Sequence, residues 1–101
     1  MTISSQLSAD GQEQTITVQG RFDFNAHQAF RDAYQRTDCT PRRYVVDLHG
    51  ATYLDSSALG MLLLLRDHAG SDKADIRLIN CNPDVRKVLS VSNFEQLFAI
   101  A

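Results

Sequence analysis

The sequence has few of the residues from which covalent frameworks and metal sites are built. Its only two cysteines, Cys39 and Cys81, are far apart in a chain of 101 residues, which gives neither a disulfide framework nor a zinc site. The three histidines, His27, His49 and His68, are also widely spaced and form no metal-binding pattern. No nucleotide-binding loop is present either. We therefore expect free thiols, no metal and no cofactor.

The sequence also lacks a long hydrophobic run and an excess of either charge. The longest apolar run extends from Ala58 to Leu65, whereas a membrane-spanning helix needs about 20 such residues. The segment from Met1 to Gly20 has neither a basic start nor an apolar core, so we expect no signal peptide, no membrane contact and a cytoplasmic location. A net charge of −2 and an isoelectric point near 5.8 argue against nucleic acid as a partner.

The length and the 44% of apolar residues predict one globular domain over residues 1–101. It begins with two segments of alternating polarity, from Ile3 to Leu7 and from Thr15 to Val18, on either side of the turn pair Asp10-Gly11. This pattern is typical of a β-hairpin. We expect Gly20 to end its second strand.

Beyond the hairpin, strand patterns alternate with helix patterns. Helices are predicted over residues 25–37, with Asp23 or Asn25 as the cap, over 57–68, and from Asn82-Pro83 onward. Strands are predicted over residues 43–48, extended by Tyr53-Leu54, and over 75–80, and a last short apolar element contains Phe94, Leu97, Phe98 and Ile100. The alternation predicts an α/β fold with a mixed, mostly parallel sheet, an N-terminal hairpin and about four helices. The segment from Val45 to Leu48 should be the central strand, because it is almost continuously apolar.

The junction between the central strand and the next helix is the most informative part of the chain. It contains Asp55-Ser56-Ser57, and both aspartate and serine are favoured at helix N-caps. Local evidence alone favours a helix cap without further function. If Ser56 contributes to this cap, Ser56→Ala should melt slightly lower and stay folded.

The wider pattern resembles the signature of STAS domains and of bacterial anti-sigma factor antagonists. That signature is a strand ending in Asp-Leu, a few residues, an aromatic and an aliphatic residue, and then Asp-Ser-Ser/Thr-Gly-Leu-Gly. The matching residues are Asp47-Leu48, Tyr53-Leu54, Asp55-Ser56-Ser57 and Leu59-Gly60, and Ala58 stands in place of the usual glycine. The order of predicted elements fits the family along essentially the whole chain.

The resemblance implies a STAS-type fold and a regulatory protein that is not an enzyme. In the implied partner-switching cycle, the unphosphorylated protein binds an anti-sigma factor or a serine kinase with a histidine-kinase-like ATPase fold. Phosphorylation releases it, and a metal-dependent serine phosphatase restores it. The implied phosphoacceptor is Ser56, the first hydroxyl after the aspartate, with Ser57 as the fallback. The implied partner-binding residues are Asp23, Asn25, Asp55, Ser56, Ser57, Ala58 and Met61.

The run from Met61 to Leu65 is apolar all round, so it is either buried entirely or leaves Met61 or Leu64 exposed as an apolar patch beside Ser56, with the helix over residues 25–37 as its rim.

The alternative functions are a STAS-type module that senses a small molecule or nucleotide, and a small hydrolase using Ser56. For the hydrolase, no motif places a histidine beside the serine.

Overall fold

A computed structural model describes residues 2–35 and 41–101 of the chain. Strands β1 (Thr2–Leu7) and β2 (Glu13–Phe22) form the predicted antiparallel hairpin. Its turn is held by Asp10, whose carboxylate accepts hydrogen bonds from the Ser8 hydroxyl at 2.6 Å and from the Gln12 N–H at 3.1 Å.

The predicted end of β2 at Gly20 is wrong. Gly20 adopts a positive φ of 90° beside an irregularity in the pairing with the next strand. Such a bulge locally kinks a strand without ending it, and β2 therefore continues to Phe22.

The rest of the described chain alternates between strands and helices. The α-helices are α1 (His27–Gln35), α2 (Ser56–His68) and α3 (Pro83–Val91), and the remaining strands are β3 (Arg43–Leu54), β4 (Ile76–Ile79) and β5 (Ala99–Ile100). Short 3-10 turns occupy Phe24–Ala26, Ser71–Lys73 and Phe94–Gln96. The last apolar element is thus a 3-10 turn followed by a short strand. The predicted end of the first helix at Thr37 lies outside the described residues.

The five strands form one sheet in the order β1-β2-β3-β4-β5. The first pair is antiparallel and the other three pairs are parallel, which confirms the predicted α/β fold with a mixed, mostly parallel sheet. β3 is the central strand, as predicted, and it runs on through Tyr53 and Leu54.

One face of the sheet is covered by the helices. The β2 residues Ile16, Val18 and Phe22 and the β3 residues Val46 and Leu48 are fully buried there, in a single cluster with buried side chains of all three α-helices. Alternate residues of each strand point to the opposite face, which is more open to solvent. All three α-helices therefore lie on one side of the sheet. Helix α2 begins at the carboxyl end of β3, at the edge of the sheet where the parallel strands end.

The start of α3 confirms the predicted Asn82-Pro83 signal. The side-chain oxygen of Asn82 accepts a hydrogen bond from the Val85 N–H at 2.8 Å, and its amide nitrogen donates to the Ala51 carbonyl at 2.9 Å. One side chain therefore both caps α3 and fastens it to the central strand.

Candidate functional site

Asp55 links the end of β3 to the start of α2. Its backbone is extended, with φ −120° and ψ −174°, and its carboxylate accepts a hydrogen bond from the Ala58 N–H at 3.0 Å. Asp55 is therefore the N-cap, and Ser56 is the first residue of the helix proper. The expectation that the Ser56 hydroxyl contributes the cap is wrong, because the carboxylate one residue earlier already occupies that role.

The two serines that follow differ in their accessibility. The side chain of Ser56 is exposed, whereas Ser57 is half-buried. The first N–H groups of a helix have no carbonyl partner within the helix, and the helix dipole places positive charge at this end. An exposed hydroxyl at this position can accept a phosphoryl group without rearrangement of the helix.

Two of the predicted partner-binding residues face inward. Ala58 is 0% exposed and Met61 is 3% exposed, so neither side chain offers surface to another protein, and that part of the prediction is wrong. Together with Leu62 and Leu65 they form the buried stripe of α2, at the spacing expected for one helix face. The methyl group of Ala58, where the family signature has glycine, is therefore directed into the core and not toward a partner.

The outer side of α2 nevertheless carries apolar surface. Leu63 is 41% exposed and Leu64 is 52% exposed, so of the two residues considered for an exposed patch, Leu64 is exposed and Met61 is buried. Between these leucines and Ser56 lies Gly60, where an added Cβ would meet no atom within 4 Å. The surface beside Ser56 is thus open and partly apolar.

A second capped turn lies beside the first. Phe22 and Leu54 are paired in the β2–β3 ladder, and Asp23 and Asp55 directly follow them. The Asp23 carboxylate accepts a hydrogen bond from the N–H of Asn25 at 3.0 Å, which makes Asp23 the cap of the 3-10 turn that precedes α1. This turn contacts α2, so the predicted residues Asp23 and Asn25 belong to the same edge of the sheet as Asp55 and Ser56.

Phe24 is a residue of this edge that the sequence does not single out. Its ring is 67% exposed and stacks on His27 at 5.8 Å between ring centroids. The spacing of apolar residues identifies only the residues on the buried side of a helix. It therefore could not identify an exposed aromatic residue that lies just before α1. Exposed aromatic rings are common anchors of protein interfaces.

Arg21 and Tyr53 lie next to these caps at the ends of β2 and β3. The Arg21 guanidinium carbon lies 4.0 Å from the centroid of the Tyr53 ring, and its Nε lies 3.5 Å from the Asp23 carboxylate. Tyr53, the aromatic residue of the signature, is 39% exposed and holds this cation by a cation–π contact.

Other predicted features lie apart from this edge. Within residues 2–35 and 41–101, no three or more histidine, cysteine or acidic side chains are gathered as metal ligands, and no described helix is long and apolar enough to cross a membrane. Cys81 is a free, half-buried thiol whose pKa is raised by burial, and Cys39 lies outside the described residues.

A recess of about 630 Å³ lies at the end of the sheet where β2 and β3 begin. It is open and lined mostly by charged side chains, unlike the enclosed apolar pockets typical of small-molecule sites.

The structure predicts a difference between Asp55 and Ser56 in their effect on stability. Asp55→Ala removes the cap of α2 and should lower the free energy of unfolding by about 0.5–2 kcal/mol. Ser56→Ala removes an exposed hydroxyl and should change it by less than about 0.5 kcal/mol. Urea denaturation measures both, with Asp55→Asn as a control that retains a capping oxygen. Equal losses for Asp55→Ala and Ser56→Ala would contradict this assignment of the cap.

Comparison with known proteins identifies clear relatives. Residues 5–99 match the family described as "Mlab, STAS domain". The chain is 71% identical over 101 residues, and 100% of both chains, to the STAS-domain containing protein PA14_20770 of Pseudomonas aeruginosa. It is 30% identical over 77 residues to a Bordetella bronchiseptica protein named "Putative anti-sigma factor antagonist BtrV", covering 76% of this chain and 66% of the relative.

A solved structure shows the same fold at low sequence identity. The anti-sigma factor antagonist SpoIIAA in its unphosphorylated form superposes with a TM-score of 0.76 at 17% identity, covering 99% of this chain and 87% of the other. This likeness supports the fold, whereas the sequence matches establish the kinship.

Proposed function

Because this chain belongs to the STAS-domain family, we propose that it is an anti-sigma factor antagonist regulated by phosphorylation of Ser56. The unphosphorylated form binds an anti-sigma factor, or a serine kinase with a histidine-kinase-like ATPase fold. Phosphorylation releases that partner, and a metal-dependent serine phosphatase restores the binding form. The proposal rests above all on the exposed Ser56 hydroxyl, which directly follows the Asp55 cap at the start of α2.

The kinship supports the regulatory class of this proposal. The anti-sigma factor antagonists of this family are regulatory proteins and not enzymes, and the relative at 30% identity carries the name of such an antagonist. The cycle operates in the cytoplasm, where sigma factors and their regulators act. In this proposal, residues 1–101 form a single STAS domain that carries the switch.

The local charges explain how phosphorylation can act as a switch. A phosphoryl group adds about −1.5 to −2 charges at neutral pH, and Asp23 and Asp55 already place two carboxylates at the same edge. The helix N-terminus accommodates the phosphate, so the domain stays folded. The surface becomes strongly acidic, and a partner that docks on the neutral serine meets both repulsion and bulk.

The exposed apolar residues around Ser56 support a docking surface for the partner at this place. We define the docking surface as Phe24, Asn25, Ser56, Gly60 and Leu64. Phe24 and Leu64 are 67% and 52% exposed and provide apolar contact, while Gly60, which has open space above it, allows a partner's backbone to approach closely. Ser57, half-buried behind Ser56, is the less accessible hydroxyl.

The site assignment is tested by labelling with the cognate kinase. Ser56→Ala should abolish phosphorylation, because it removes the exposed acceptor, whereas Ser57→Ala should remain a substrate. Phosphate incorporation is measured by mass spectrometry of the intact protein, and circular dichroism confirms that each variant is folded. If a folded Ser57→Ala protein loses labelling and Ser56→Ala retains it, the phosphoacceptor is Ser57 and the assignment is overturned.

A further inference from the structure

One outer edge of the sheet is formed by β1. The hairpin closes with the Ser8 N–H donating to the Glu13 carbonyl at 2.8 Å. In an antiparallel ladder the residues that bond to the neighbouring strand alternate with those that do not. Gln6 and Ser4 therefore direct their backbone groups toward β2, and the N–H and carbonyl groups of Ile3, Ser5 and Leu7 point outward.

The β1 strand itself lacks several of the features that commonly protect sheet edges, although α1 packs beside it. Folded proteins protect an edge with charged side chains, proline, bulges or very short strands. The six residues of β1, Thr-Ile-Ser-Ser-Gln-Leu, include no charge and no proline, and they pair with β2 without a register shift. The opposite edge, β5, is only two residues long and is protected by its shortness.

The outward-facing residues of β1 are complementary to themselves. An antiparallel copy of the strand, related by a two-fold axis at Ser5, places Ser5 opposite Ser5 and Ile3 opposite the second copy's Leu7. Because the backbone groups of Ile3, Ser5 and Leu7 all point outward, these three pairings form about six new hydrogen bonds. The β1 strand itself brings no charged side chain to the axis.

The side chains gain contacts in the same arrangement. Ile3, Ser5 and Leu7 pair with β2 residues of the buried face, so they lie on the side of the sheet that the helices cover. Ile3 packs against the core, whereas Leu7 is 38% exposed and lacks an apolar neighbour beyond the edge. Symmetric pairing brings each Leu7 against an Ile3, and this happens twice per dimer.

We propose that two copies of this chain associate through β1 into a symmetric dimer with one continuous sheet. The inference is independent of the proposed function, because the docking surface is made of residues that follow β2 and β3 and includes no residue of β1. The dimer would present two such surfaces, one from each copy.

The oligomeric state in solution tests this proposal. Sedimentation equilibrium over a range of concentrations should give a mass approaching twice the 11.3 kDa of the chain. Ser5→Lys, which sets two ammonium groups against each other at the axis, should weaken the dimer at least about tenfold. The matched control Gln19→Lys adds the same charge at an exposed position of β2 and should leave the dimer unchanged.

A second variant separates association from folding. Ser5→Pro removes an N–H that points outward and is not needed within the chain, and edge strands tolerate proline. It should abolish the dimer while the melting temperature of the monomer changes little. In hydrogen exchange, the amides of Ile3, Ser5 and Leu7 should gain protection as the wild-type concentration rises, and those of Ser4 and Gln6 should be protected throughout. A wild-type protein that stays monomeric at the highest attainable concentration, or a dimer unaffected by both Ser5 variants, overturns the proposal.

Discussion

Ser56→Asp is expected to weaken partner binding by about 30-fold or more while leaving the fold intact. Placing like charge or an unpaired charge in an interface costs several kcal/mol, and about 2 kcal/mol corresponds to a 30-fold change in Kd. The phosphorylated protein should bind more weakly still, because a carboxylate carries less charge and fewer acceptor oxygens than a phosphate. Calorimetric titration of the partner measures each Kd. Ser90→Asp, at an exposed position on α3, is the control for added charge alone and should bind normally.

The same variants distinguish how binding is lost. If long-range repulsion dominates, added salt should restore part of the binding, because the Debye length is about 8 Å at physiological ionic strength. Absence of salt rescue identifies steric exclusion instead. Backbone amide shifts should change only near Asp55 to Leu59 and around the 3-10 turn Phe24–Ala26. Shifts spread through β3 and β4 would indicate a conformational transition and contradict a switch confined to the surface.

Leu62→Ala is expected to lower the free energy of unfolding by about 2–5 kcal/mol, as for other leucines removed from a close-packed core. Leu62 is fully buried, whereas Leu64, two residues further along the same helix, is 52% exposed. Leu64→Ala should therefore change stability by less than about 0.5 kcal/mol and instead weaken partner binding. Urea denaturation and calorimetric titration of the same two proteins separate these effects. A large stability loss in Leu64→Ala would show that this side chain chiefly fills the groove between α1 and α2, which it helps to line.

The comparison of these two leucines also shows where the sequence was insufficient. The run from Met61 to Leu65 is uniformly apolar, so hydrophobic periodicity cannot say which side is buried. The inward stripe becomes evident only when Ala58, Met61, Leu62 and Leu65 are placed together against the sheet. By contrast, apolar residues recur at helical spacing in α1 and α3, and the structure has a helix at each of these places, although the predicted end of the first helix lies outside the described residues.

Turns and caps were predictable where one residue type has a distinct advantage. The pair Asp10-Gly11 and the sequence Asn82-Pro83 each favour a single local structure, and the structure contains both. At Asp55-Ser56 two good capping residues are adjacent, and only the backbone geometry shows that the aspartate is the cap. At Gly20, a glycine indicates a positive φ but does not reveal whether the strand stops or merely bulges.

The order of the strands in the sheet has a consequence for how the chain assembles as it is synthesised. Within residues 2–35 and 41–101, every strand after the first pairs with the strand that precedes it in sequence, so each strand is synthesised after the neighbour with which it pairs. Domains generally fold during synthesis from the N-terminal end, and here no strand has to wait for a later one to be inserted beside it. The sheet can therefore grow by successive addition of strands from the hairpin toward β5. The turn at Asp55 can form before β5, the strand at the far edge, has been synthesised.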